Sequence, residues 1–295
     1  MKSFYFFLFF LLISSCANQL VLEKRSFKIV DEFSSGHYWI NTEKNKDQNL
    51  AIVLPDNLDS INWEENILIR TLKKKNYRIL IPEILGDSES LKMHLDSRKR
   101  RINNLNNLHL QLSSTKEIDS SAKVLLIGFG EGAYIVPYLA NHLAGVNQFF
   151  MINAALGSPL SEFELLVGEK NKSILNHPKL RYFGIENMDE LKTIIKEVKN
   201  HPNYNNALGN KTNFYWNEYY QHPTDPDLAI TAAKGTIILS EDYPLISDNS
   251  KTQLKFMIET NPLSQLALEQ IKGNGDFREK DQILQLQKII LEKLN

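Results

Sequence analysis

Residues Val124–Ile135 read VLLIGFGEGAYI, an apolar run followed by three closely spaced glycines. Its apolar start, Val124–Ile127, is typical of a strand buried on both faces of a parallel sheet. Glycines follow at 128, 130 and 132, and the chain then continues with helical apolar spacing. Because glycine tolerates left-handed backbone angles and close packing, this order predicts a strand, a sharp turn and a helix.

Similar apolar runs alternate with helical patterns along most of the chain, which predicts a mostly parallel sheet with helices on both faces. We predict eight strands, near Phe27–Val30, His37–Ile40, Leu50–Leu54, Arg78–Pro82, Lys123–Ile127, Phe149–Asn153, Thr236–Leu239 and Leu266–Ile271. The predicted helices are Trp63–Lys75, Ser97–Gln111, Gly132–Leu143, Met188–Lys199 and Lys280–Leu294. The alternation stops between about 159 and 230, an interval too long for a loop, which predicts a helical lid.

The N-terminal residues, MKSFYFFLFFLLISSCAN, have the layout of a secretory signal, with one cation before an apolar stretch too short to span a bilayer. The letters ISSC at 13–16 resemble a bacterial lipobox, whose cysteine receives diacylglycerol. We therefore predict a signal peptide at 1–15, lipidation of Cys16, a lipidated tether at 16–26 and one folded domain at 27–295. The alternative is an ordinary signal peptide with a cysteine near its cleavage point.

A signal peptide and a lipidated Cys16 predict that the protein lies in a bacterial cell envelope, where the lipid on Cys16 anchors it to a membrane. Ala17 is not the aspartate that marks inner-membrane retention in some bacteria, so the outer membrane is favoured. Two basic runs, at 73–75 and 98–101, are interpreted as solvated helix faces or as contacts with anionic lipid head groups.

Charge and residue content exclude several classes of protein. The net charge of −1 argues against a nucleic-acid partner. Cys16 is the only cysteine, so the mature chain has no disulfide and its stability must come from the core. The seven histidines show no metal-ligand spacing, and we expect neither a metal nor a cofactor.

The order of the parts resembles the α/β-hydrolase superfamily over roughly Phe27 to Leu294. The segment GFGEGA at 128–133 resembles the nucleophile elbow of these enzymes, in which a small-x-Ser-x-small pattern holds a serine at the tip of a sharp turn. The resemblance implies an α/β-hydrolase-like, mostly parallel eight-stranded sheet flanked by helices, with a helical lid insertion. It also implies a serine, an acid and a histidine in that chain order.

Each catalytic position that the resemblance assigns departs from the family pattern. Gly130 occupies the tip of the elbow, and glycine has no side chain to attack a carbonyl. The acid position falls on Asp242 or Tyr243, depending on the alignment after the seventh strand. Asp276 stands where the histidine is expected, and no histidine follows His222. An ionised aspartate is a poor proton acceptor from an alcohol.

The oxyanion-stabilising positions, Asp56, Asn57 and Glu131, also depart from what the resemblance implies. Pro55 before them has no N–H to offer, and Asp56 would place a negative charge beside a developing anion. We therefore expect no catalytic residues at these positions.

Three functions are compatible with these residues. The leading hypothesis is a lipid-anchored envelope protein with a degenerate, non-catalytic fold that binds a small apolar ligand or an envelope protein. The first alternative is an active esterase-like hydrolase with an unorthodox site, for example with Ser240 as the nucleophile. The second is a dinucleotide-binding Rossmann-type protein, because Gly128-x-Gly130-x-x-Ala133 also satisfies that fingerprint, although no acid follows the next strand before Glu162.

Overall fold

The structure is a computed structural model that describes residues 22–28, 35–42, 48–56, 67–82, 97–169, 175, 185–203, 206–208, 211–261, 265–275 and 280–294. Cys16, Asn57 and Asp276, together with the predicted signal peptide, lie outside these residues. None of the described helices is long and apolar enough to cross a membrane.

An eight-stranded sheet forms the centre of the molecule. Its strands are β1 (Leu22–Lys28), β2 (Ser35–Asn41), β3 (Asn49–Leu54), β4 (Tyr77–Pro82), β5 (Val124–Phe129), β6 (Val146–Ile152), β9 (Lys234–Ser240) and β10 (Leu266–Ile271). The spatial order is β1-β2-β4-β3-β5-β6-β9-β10, and β7 (Asn206–Leu208) pairs separately with β8 (Lys211–Thr212). The six strands from β4 to β10 are parallel, whereas β1 and β2 are antiparallel to their neighbours.

Helices connect the strands. They are α1 (Ile67–Lys74), α2 (Arg98–Ser114), α3 (Val136–His142), α4 (Pro159–Gly168), α5 (Met188–Asn200), α6 (Asn213–Gln221), α7 (Asp225–Ile230), α8 (Asp248–Thr260) and α9 (Lys280–Lys293), with a 3₁₀ helix at Gly130–Ile135. The helices α4 to α7 and the β7–β8 hairpin lie between β6 and β9 in the chain. We call this insertion the lid.

The predicted α/β fold class and its eight strands are confirmed, and three details differ from the sequence predictions. β1 begins at Leu22, so residues 22–26 of the predicted tether are paired with β2 in the sheet. The helix predicted at Gly132–Leu143 starts as a 3₁₀ turn. The helix α8 was not predicted, because only Ser250 and Leu254 of its 13 residues are buried and its apolar pattern is correspondingly weak.

Two apolar cores lie on opposite faces of the sheet. Along β5, Val124 and Leu126 pack with α2, α3 and the lid, whereas Leu125 and Ile127 pack with α1 and α9. This alternation follows from the two-residue period of side chains along a strand. The parallel strands end together at one edge, which we call the carboxyl edge, and begin together at the opposite, amino edge.

Candidate active site

The glycine-rich turn lies at the carboxyl edge, directly after β5. Gly130 has a φ of +47°, a left-handed conformation that glycine adopts without steric cost. A Cβ added to Gly128 would lie 2.5 Å from the Cα of Ala133, and one added to Gly132 would lie 2.6 Å from the carbonyl oxygen of Leu54. The small residues on both sides of Gly130 are therefore required by packing, as in a strand-to-helix elbow.

The end of β3 lies against this turn. Gly132 packs onto the carbonyl groups of Leu54 and Pro55. Asp56, the next residue, is buried. The turn and the loop after β3 are thus adjacent, which is the arrangement in which two backbone N–H groups can converge on one oxygen. Pro55 supplies no N–H to such a site.

The turn after β9 separates the two residues proposed for the acid position. Asp242 is exposed, and its backbone N–H donates to the carbonyl oxygen of Gly273 at 3.1 Å. Tyr243 is buried, and a Cβ added to Gly275 would lie 2.9 Å from Cδ2 of its ring. The structure therefore brings Tyr243 inward against the loop that follows β10, while Asp242 points outward.

Asn153 ties together the carboxyl ends of three strands. It follows β6 with a φ of +54°, and its Oδ1 accepts from the backbone N–H of Ser240 at 2.9 Å. Its Nδ2 donates to the carbonyl oxygen of Gly275 at 3.1 Å. The Asn153 amide thus lies between the carboxyl ends of β9 and β10, the two strands after which an active hydrolase would carry its acid and its histidine.

Ser240 is not placed as a nucleophile. Its side chain is completely buried, and no described group lies within hydrogen-bond reach of its Oγ. A serine needs an adjacent base and access to substrate to act as a nucleophile. Ser240 therefore acts in this structure through its backbone N–H, which Asn153 binds.

Comparison with solved structures identifies the architecture. The chain superposes on the acylaminoacyl peptidase of Pyrococcus horikoshii with a TM-score of 0.65 at 11% identity, over 96% of this chain and 42% of that one. It superposes on an esterase of Pyrococcus furiosus with a TM-score of 0.62 at 13% identity, over 94% and 91% of the two chains. The chain has the α/β-hydrolase fold.

An α-beta serine hydrolase homologue of Coxiella burnetii also has this hydrolase fold, with a TM-score of 0.52 and 13% identity over 92% of this chain and 97% of that one. Neither a protein-family model nor a curated protein sequence matches the chain. Because the identities are low, the likeness concerns the fold alone. The chain spans less than half the length of the acylaminoacyl peptidase.

Within the hydrolase fold, a buried ion pair lies beside the elbow. Nη1 of Arg101, on α2, donates to Oε1 of Glu131 at 2.8 Å, and both side chains are more than nine-tenths buried. The same nitrogen lies 2.8 Å from the hydroxyl of Tyr215 and 3.1 Å from that of Tyr219, both on α6 of the lid. Through Arg101, Glu131 is therefore linked both to α2 and to the lid helix α6.

The lid aromatics are buried at this contact. Tyr215 and Tyr219 are fully buried, and the Trp216 ring meets the Tyr215 ring edge-on with centroids 5.4 Å apart. Burial raises the pKa of the Tyr219 hydroxyl well above its ordinary value, against the opposing effect of Arg101, so the phenol stays neutral. The lid is thus linked to the elbow through Arg101.

A second buried carboxylate fastens the lid on its other side. Oε1 of Glu162, on α4, accepts from the hydroxyl of Ser250 at 2.5 Å, and Oε2 accepts from the N–H of Ser247 at 3.1 Å. Burial raises the pKa of Glu162 to about 7, and the hydrogen bonds from α8 oppose this rise. The first helix of the lid is thus joined to the N-terminus of α8.

The described residues contain no group of three or more His, Cys, Asp and Glu side chains arranged to hold a metal ion. His142, for example, stacks on Tyr138 with ring centroids 4.0 Å apart. No described site therefore points to metal chemistry.

Several site residues were not assigned these roles from the sequence. Arg101 belongs to the basic run at 98–101, and its partner Glu131 is 30 positions away, so no local pattern connects them. Glu162 follows a serine N-cap and a proline, Ser158-Pro159, a helix-start signal that would have revealed α4. That signal would still not have revealed the contact with Ser250.

Proposed function

We propose that the protein is a lipid-anchored component of the bacterial cell envelope and that it lies at the outer membrane rather than the inner one. Its degenerate α/β-hydrolase fold binds a ligand or partner without catalysis. The anchor is diacylglycerol on Cys16, after removal of residues 1–15. The ligand is a small apolar molecule or another envelope protein. No cofactor, metal or nucleic acid is part of the proposal.

The observation that carries this proposal is glycine at the tip of the elbow. Gly130 takes the left-handed conformation of the turn but presents no nucleophile. Its neighbour Glu131 forms a buried ion pair with Arg101, so this carboxylate is already engaged and does not replace the missing nucleophile. Both features oppose ester hydrolysis at this site.

Binding is supported by an apolar cavity beside the elbow. Its volume is about 40 Å³, room for only a few ligand atoms, and it is lined chiefly by apolar groups that include Phe27, Leu54, Leu105 and Ile135. Asn104 also lines it, and no described group bonds the Nδ2 of this buried amide. Arg101 lines it as well, and apolar walls with a few polar groups are typical of small-molecule sites.

Dinucleotide binding at the glycine-rich turn receives less support. In a dinucleotide site, glycines leave space for a pyrophosphate beside a helix N-terminus. Here the carbonyl groups of Leu54 and Pro55 lie against Gly132 and occupy the space beside it.

Ester turnover tests the proposal. The chain from Ala17 to Asn295 is assayed on esters with short and long acyl chains, beside a Gly130→Ser, Asp276→His double variant. We expect no turnover above buffer for the natural sequence and a gain for the double variant. Gly130→Ala with Asp276→His is the matched control, because it adds the same Cβ without a hydroxyl.

Turnover by the natural sequence that persists in Gly130→Ala would overturn the proposal and favour an esterase with a different nucleophile. If the natural sequence is inactive, mass spectrometry of the purified protein should then identify apolar molecules that are retained in the cavity.

A further inference from the structure

The first strand, β1, begins at the amino edge of the sheet. Leu22, the first residue of β1, pairs with Asn41 at the end of β2. Oδ1 of Asn41 accepts from the N–H of Ile79 at 2.8 Å, near the start of β4. Leu22 therefore lies at the amino edge, on the side opposite to the elbow.

Exposed lysines gather at the same edge. Lys74 ends α1 just before β4, Lys116 lies between α2 and β5, Lys123 directly precedes β5, and Lys234 is the first residue of β9. All four side chains are exposed, and none forms an ion pair within the described part of the chain. Because each stands where a parallel strand begins or is about to begin, topology alone places them along one edge.

The acidic residues near these lysines offset little of their charge. Glu117 is engaged with Arg78 at 2.9 Å and with Arg25 at 3.2 Å. Asp119 is exposed and accepts hydrogen bonds from Ser121. Among the described residues, Asp119 keeps its charge and offsets one of the four lysines, so the described part of the amino edge is positive, although the whole chain has a net charge of −1.

A large apolar side chain accompanies the lysines. Ile230 is 71% exposed at the end of α7, four residues before Lys234. Exposed apolar groups among cations suit the boundary between lipid head groups and acyl chains.

We infer that the amino edge, through Lys74, Lys116, Lys123 and Lys234, docks on an anionic lipid surface and turns the carboxyl edge away from the membrane. The choice of a membrane as the partner rests on the proposed anchor at Cys16. The positive edge and its position beside the start of β1 are independent of that anchor.

Vesicle binding by the unlipidated chain, Ala17–Asn295, tests this surface alone. That chain contains all the described elements. We expect binding at low salt to phosphatidylcholine vesicles with about one-third phosphatidylglycerol, little binding to pure phosphatidylcholine, and loss of binding in about 0.5 M salt. The triple variant Lys116→Glu, Lys123→Glu, Lys234→Glu should lower the partition coefficient on the order of 100-fold, since each lysine near an anionic surface contributes about a factor of 5.

The matched control reverses three exposed lysines elsewhere, Lys99→Glu, Lys196→Glu and Lys272→Glu, with the same change in net charge. We expect this control to keep most of the binding. Equal losses in the two triple variants would overturn the proposal, since net charge alone would then explain the effect. Absence of binding to the anionic vesicles, or equal binding to both kinds of vesicle, would overturn it as well.

Lipidation is tested separately, by membrane fractionation of full-length protein with Cys16→Ser. Both proposals would be supported if the Cys16→Ser variant is released from the membrane fraction while the chain Ala17–Asn295 binds anionic vesicles. Unchanged membrane attachment of Cys16→Ser would contradict the lipid anchor while the vesicle assay still decides on the surface.

Discussion

The buried carboxylate of Glu162 joins α4 to α8. No cation among the described residues pairs with it. Its acceptors are satisfied by neutral donors, the N–H of Ser247 and the hydroxyl of Ser250. Removal from water penalises the charged form, and these hydrogen bonds compensate only in part. The protein therefore favours the protonated acid at this position more than the unfolded chain does.

The stability of the protein should consequently depend on pH through Glu162. The pKa of Glu162 rises from 4.5 to about 7 in the folded state, so between these values the folded protein holds a proton that the unfolded chain has released. The free energy of unfolding then falls by about 3 kcal/mol as the pH rises through this window. Glu162→Gln should remove the decline and stabilise the protein at pH about 8, as measured by urea unfolding.

Glu169→Gln is the matched control, because Glu169 lies on the same connection to α8 but is exposed. We expect its unfolding curves to keep the slope of the natural sequence. An identical pH slope in Glu162→Gln would contradict the assignment to Glu162.

At the scale of elements, the elbow after β5 depends on the absence of side chains at its flanks. A Cβ on Gly132 would lie 2.6 and 2.7 Å from two backbone oxygens, which cannot move without shifting the end of β3. Gly168 at the end of α4 has nothing within 4 Å of an added Cβ. The two glycines therefore respond differently to the same substitution.

Gly132→Ala should destabilise the protein by about 1–3 kcal/mol, since overpacking forces the backbone apart. Gly168→Ala should be neutral or stabilise by up to about 1 kcal/mol, because alanine favours the helix. Thermal unfolding of both variants checks the difference. Equal midpoints would show that the turn adjusts freely.

Elements with a strong apolar pattern could be predicted, and contacts between distant elements could not. Most strands could be predicted because an apolar run stands out against polar neighbours, as in Val124–Ile127. The first strand has no such run, and β1 overlaps its prediction, Phe27–Val30, only at residues 27 and 28. The helix α8 was missed because it lies on the surface with few buried positions. The pairs Arg101–Glu131 and Glu162–Ser250 join residues 30 and 88 positions apart, and only the packing of separate elements in the folded protein brings them together.

At the scale of the whole molecule, the two apolar cores share one sheet. Leu126 faces the core that includes Leu139 of α3, and Leu125 faces the core that includes Ile290 of α9. Neither core can lose its packing without exposing strands that the other needs. The described domain should therefore unfold as one cooperative unit.

Leu139→Ala and Ile290→Ala test this coupling from opposite faces, since both side chains are fully buried. Each should cost about 2–5 kcal/mol through lost burial and a cavity. Calorimetry should record one transition, shifted to lower temperature, in both variants. Two separate transitions in either variant would show that the faces unfold independently.

The edge-on contact between Tyr215 and Trp216 makes the fluorescence of Trp216 a reporter of the lid. At a centroid separation of 5.4 Å, light absorbed by the tyrosine is passed to the tryptophan, whose buried indole emits at short wavelength. A lid that lifted from Arg101 would expose the indole and shift its emission to the red. Comparison with Trp216→Phe isolates this contribution, so ligands that open the lid can be found by fluorescence without an attached dye.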